Sequence, residues 1–158
     1  MRSRGFTIVE LVITVAIIAL LATMVVPSAQ LVYQREREAD LKRALRTIRS
    51  GIDAYKRAWD EGRIKKEIDK QTGYPPDLQT LVDGVDDSRS AKDGVKIYFL
   101  RSIPRDPFWP DGRTSAADTW ALRSYESPPD DPQPGDDVYD VHSKSVRTGL
   151  NGVPYRDW

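Results

Sequence analysis

Few side chains in this sequence are spaced for chemistry. The single histidine, His142, lies beside Ser143 and near Ser145. General-base work needs a positioned partner and a pocket. No Gly-x-Ser-x-Gly elbow surrounds either serine, and the glycines never form a phosphate loop. The chain therefore reads as a non-enzyme. Asp130, Asp131, Asp136, Asp137 and Asp140 make oxygen-rich loops of the kind calcium favours; their simpler reading is as solvated turn residues. The most informative acid is Glu10, which sits inside an apolar run reaching from Gly5 to Val26. A carboxylate in hydrocarbon is costly unless it is paired or protonated. Hydrolysis of the peptide bond after Gly5 would create a partner, a positive α-amino group on Phe6. In an assembly, the amine of one subunit could meet Glu10 of its neighbour inside an apolar core.

Length and charge bound what surrounds this pair. A chain of 158 residues allows one compact domain beside a helical anchor. Acidic and basic residues balance at 24 each, so no global field draws the chain to nucleic acid or anionic lipid. There is no cysteine, which excludes disulfide scaffolds and thiol chemistry. Most of the eleven prolines lie beyond Tyr74, so the C-terminal half should be rich in loops.

The apolar run fits three descriptions. A secretory signal peptide would end in a small-residue cleavage site, which Pro27-Ser28-Ala29 supplies poorly. A plain signal anchor needs only about 20 apolar residues, and has no use for Glu10. The third description accounts for Gly5, Phe6 and Glu10 together. The stretch Gly5-Phe6-Thr7-Ile8-Val9-Glu10-Leu11, preceded by Arg2 and Arg4, resembles the class III leader of type IV pilin-like precursors. Arg2 and Arg4 should stay cytoplasmic, placing the remainder across the membrane.

Beyond Val26, Pro27 interrupts the run, and a proline kinks or locally breaks a helix. An amphipathic pattern follows. Leu41, Leu45, Ile48, Ile52, Tyr55 and Trp59 recur in steps of three and four, one helical stripe. Arg43, Arg46, Arg49, Asp53, Lys56 and Asp60 fall on the opposite face. Gly51 costs such a helix about 1 kcal/mol relative to Ala, and Gly62 is a natural stop. From Phe6 to Trp59 the helix would run roughly 80 Å at 1.5 Å per residue. Arg35 to Asp40 alternates in charge, which reads as a solvated surface or as intersubunit ion pairing. Arg63–Gly73 is a charged connection, Asp77 a candidate N-cap for a short helix carrying Leu78, Leu81 and Val82 inward, and Asp83–Gly94 a variable loop. Trp120–Tyr125 and Val138–Ser143 alternate as strands. We expect an α+β, pilin-like fold: a long N-terminal helix with a small antiparallel sheet of about three strands packed on its C-terminal half, and Trp158 docked on that sheet.

A second stretch, Tyr98-Phe99-Leu100-Arg101-Ser102-Ile103-Pro104-Arg105-Asp106-Pro107-Phe108, is similar to a segment of major pseudopilins of type II secretion, with Phe108 and then Trp109 where that family has Trp. The resemblance implies a cleaved leader over 1–5, a transmembrane and filament-core helix over 6–27 that bends or melts at Pro27, an amphipathic half over 28–62 and a periplasmic head over 63–158. It implies cleavage after Gly5 and N-methylation of Phe6 by a prepilin peptidase, and homo-oligomeric filament assembly through Phe6 and Glu10. The partners would be an inner-membrane assembly platform and minor pseudopilins, with no nucleic acid. The family also binds calcium through acids in the loop after the last strand. Here that loop, Ser143 to Gly152, has no acid and two cations, leaving only Asp140, Ser143 and Asn151 for a diminished site. A type IV pilus subunit for adhesion, motility or DNA uptake and a membrane-tethered ligand-binding module stay open as alternatives.

Overall fold

The computed structural model describes residues 6–66, 72–92 and 94–158, and for residues 23–29 the backbone alone. Gly5 lies outside the described residues, as does the side chain of Pro27, together with part of the Arg63–Gly73 connection. The chain divides into two units, residues 1–37 and 38–158. Helix α1 (Ile8–Asp60) is assigned without interruption, so position 27 is not a helix terminus in the subunit. One missing backbone donor among many leaves the helix able to continue on either side of a proline.

In the first unit the start of α1, from Ile8 to Leu21, is apolar on every side apart from Glu10 and Thr14. Ile8, Val9, Leu11, Val12, Ile13, Val15, Ile17, Ile18, Leu20 and Leu21 are all exposed. Among the described residues no helix is long and apolar enough to cross a membrane. The span expected over 6–27 includes residues 23–27, whose side chains lie outside the description.

The second unit holds the core. Leu41, Leu45, Ile48, Ile52, Tyr55 and Trp59 are all buried, as the helical stripe requires. On the other face Arg43, Arg46, Asp53 and Asp60 are exposed, whereas Arg49 and Lys56 are half-buried. Arg49 therefore departs from the solvated face expected of it. Gly51 has a packing reason: a Cβ there would lie 2.9 Å from Leu100 Cγ. The helix ends at Gly62, whose φ is 71°. Its N–H donates to the Trp59 carbonyl at 2.9 Å and the Arg63 N–H to the Ala58 carbonyl at 2.9 Å, the paired bonds of a Schellman cap.

Helix α2 (Thr80–Asp83) is a single turn. Asp77 accepts from the Thr80 N–H at 2.7 Å and its hydroxyl at 2.8 Å, but it stands two residues before Gln79, which holds the N-cap position instead. Leu78 and Leu81 are buried and Val82 half-buried. Two antiparallel ladders follow. Strands β1 (Val85–Asp86) and β2 (Lys96–Ile97) pair Val85 with Ile97. Strands β3 (Trp120–Arg123) and β4 (Asp140–Ser143) pair Trp120 with Ser143 and Arg123 with Asp140. The architecture is α+β, as expected, but the single three-stranded sheet is replaced by these two-stranded ladders. Ladders this small need backing, and Trp120, Val141 and Val138 supply it by joining the helix stripe in one buried cluster. Trp158 packs edge-on against Tyr155, ring centroids 5.0 Å apart, and against the core cluster that includes Trp120 and Val141.

Candidate functional site

The N-terminal site is built by one capping bond. Thr7 precedes the first helical residue, and its hydroxyl accepts the Glu10 N–H at 3.2 Å. That bond satisfies one of the donors a helix start leaves open. Thr7-Ile8-Val9-Glu10 also has the spacing of a capping box, which puts an acid in the first turn where the helix dipole favours it. The sequence reading missed this second use of Glu10; the signal was Thr at N-cap with Glu three residues on.

The helix start leaves Phe6 outside the helix and 75% exposed. Glu10 is exposed on a surface otherwise formed by bulky apolar side chains. Such a surface is larger than the scattered apolar residues of ordinary monomers, and it marks a face meant to be covered. Cover by hydrocarbon or by other helices would take the Glu10 carboxylate out of water, where it needs a cation.

Residues 1–26 match the prokaryotic N-terminal methylation motif.

No curated protein and no solved structure matches the chain. The motif is that of type IV pilin-like precursors, cut by a prepilin peptidase and then assembled into filaments. The match covers Phe6, Thr7 and Glu10, and Gly5 by sequence.

The remaining candidates are spread over the head, each with its own protein partner. Asp140 holds the Arg49 guanidinium, Nε to Oδ1 at 2.7 Å, and accepts from the Val141 N–H. Ser143 is fully buried and donates to the Asp106 carboxylate at 2.5 Å. Its oxygen accepts the Ser145 N–H at 3.1 Å. Asn151 Oδ1 accepts the Val153 N–H at 3.1 Å. Among the described residues no three acids or histidines gather as a metal cluster. Calcium would need several oxygens converging at about 2.3–2.6 Å. Here it would have to displace Arg49 from Asp140 and Asp106 from Ser143, so the donor set does not fit the ion. The His142 ring stands 3.3 Å from the Ser143 carbonyl, and the buried Ser143 hydroxyl faces an acid rather than an imidazole. That arrangement is a tie between β4 and the Asp106 turn, not a nucleophile and its base. Asp137 is likewise buried, accepting from the Tyr125 N–H at 2.8 Å and from the Thr72 hydroxyl.

Glu38 went unnoticed in the sequence. It is buried, and its Oε1 accepts the Leu150 N–H at 2.8 Å and the Tyr155 hydroxyl at 2.9 Å. The alternating charges around it suggested a solvated surface. The signal was its register, three residues before Leu41 on the same buried stripe.

Proposed function

We propose that this chain is a structural subunit of a type II secretion pseudopilus, a non-catalytic protein that works by assembling. The precursor waits in the inner membrane, anchored by its apolar helix with the head in the periplasm. Water adds across the Gly5–Phe6 bond, leaving a carboxylate on Gly5 and an ammonium on Phe6. A free α-amine has an ordinary pKa of about 7.7–8.0, and a nearby carboxylate raises it, so the group is largely charged at neutral pH. N-methylation keeps that charge. Glu10 of one subunit then receives the Phe6 amine of the next as the apolar helices pack together. Breaking such a buried pair from one side costs about 3–5 kcal/mol, enough to select subunits that have been cut. A partner ATPase supplies the work of extraction, because this chain carries no nucleotide motif.

The observation that carries this reading is an exposed carboxylate on an exposed, all-apolar helical surface within the methylation motif. The similarity of Tyr98–Phe108 to the pseudopilin segment and the absence of cysteine favour a secretion pseudopilus over a type IV pilus subunit. Two measurements test the proposal. Mass spectrometry of the protein from its native membrane should find a mature chain beginning at methylated Phe6. Glu10→Ala should leave the head folded and abolish filaments; a tethered ligand-binding module would be indifferent to that change. Co-purification with a secretin and minor pseudopilins, rather than with a retraction ATPase, separates pseudopilus from pilus.

A further inference from the structure

We infer that Glu38, by its hydrogen bonds to Leu150 and Tyr155, fills the structural role the family resemblance gives to calcium, so that the C-terminal loop of this head closes without a divalent cation. Here the segment after β4 is closed by its own backbone and by α1. The Gly149 N–H donates to the Val153 carbonyl at 2.9 Å, and the Tyr155 N–H to the Arg147 carbonyl at 3.0 Å. Those bonds shape the loop but do not fix it to the helix. Glu38 does. One carboxylate oxygen takes the Leu150 N–H from the loop and the Tyr155 hydroxyl from the turn that follows it.

The surroundings strengthen the tie. Tyr155 is fully buried and stacks on Phe108, ring centroids 4.0 Å apart. Hydrogen bonds are electrostatically stronger away from water than in it. Arg49, further along α1, adds a second hold: its Nη2 donates to the Trp158 carbonyl at 2.8 Å and to the Val141 carbonyl at 3.1 Å. The charges also run against a metal. Lys144 and Arg147 belong to the loop, and its one amide side chain, Asn151, is used within it. The comparison with calcium rests on the pseudopilin reading, whereas the Glu38 tie itself is read by stability and exchange, without filaments.

The test uses the full chain in detergent micelles. Thermal unfolding is followed in calcium chloride and in excess chelator, and amide exchange is measured at Leu150. The wild-type midpoint should be the same in both media. Glu38→Gln should lower it by several degrees in both, and Leu150 exchange should quicken about tenfold. Tyr155→Phe removes one hydroxyl without opening a cavity, and should do the same if the glutamine variant fails to fold. A wild-type midpoint that falls on chelation and returns with calcium overturns the inference. So does unchanged Leu150 exchange in Tyr155→Phe.

Discussion

Gly51 lies against Leu100 so closely that a β-carbon on it would come within 2.9 Å of Leu100 Cγ and 3.0 Å of Cδ2. The contact exists because the Phe99 and Leu100 N–H groups both donate to the Leu81 carbonyl, at 3.0 and 2.9 Å, which draws this segment in. Gly51→Ala would gain about 1 kcal/mol of helix propensity but overpack the contact at a cost of about 1–3 kcal/mol. Chemical denaturation should show a net loss of stability. In a Leu100→Ala background the same change should become stabilising, since the clash is gone and the propensity remains.

Thr7 should act through its hydroxyl. Thr7→Val keeps the shape and removes the acceptor, costing about 1 kcal/mol of local helix stability. Exchange of the Glu10 amide in micelles should quicken roughly fivefold, and Thr7→Ser should restore it. Because the Glu10 side chain is untouched, filaments should still form, which separates the cap from the charge.

Ser143→Ala removes the hydroxyl that joins β4 to the Asp106 turn. Asp106 is only 3% exposed and keeps its bond from the Phe108 N–H at 2.7 Å. It loses one donor, and the Ser145 N–H loses its acceptor. Leaving such groups short costs about 1–3 kcal/mol, readable as a lower denaturation midpoint.

Asp87 supplies a pH dependence. Arg63 Nη2 donates to Asp87 Oδ2 at 2.6 Å, and this bond holds the Asp87 carboxyl below the usual aspartate range, with help from the Arg89 N–H. The same bond raises Arg63, which stays charged throughout. A depressed folded-state pKa gives stability that is present above the unfolded value of about 3.9 and lost as pH falls through the folded one. The tie between the end of α1 and the β1–β2 loop should therefore persist at neutral pH and weaken only in strong acid. An NMR titration of the Asp87 carboxyl should give a midpoint below the ordinary value, and Arg63→Gln should raise it, with the Arg89 N–H still holding it down in part.

What could be read from the sequence followed the strength of the local pattern. The stripe from Leu41 to Trp59 was legible because its period is set by one helix and its burial by one core. The methylation motif at residues 1–26 was legible because a carboxylate in an apolar run has few explanations. The β1–β2 ladder was not, since two-residue strands among polar residues leave no alternation to detect, and the stretch looked like a variable loop. Val138 reads as strand by composition, yet its N–H donates to the Pro75 carbonyl at 2.8 Å, before β4 begins. Arg49 and Glu38 were hidden for a common reason. Their partners lie 91 to 117 residues away in the chain, and local spacing carries no trace of them.

Glu38 and Arg49 grip the same C-terminal segment from points eleven residues apart on α1, roughly 16 Å at 1.5 Å per residue. Tension along this part of the helix would load both grips together, in shear, instead of peeling one after the other. The tail then behaves as a riveted strap, and a subunit built this way can carry traction without its last turn lifting away.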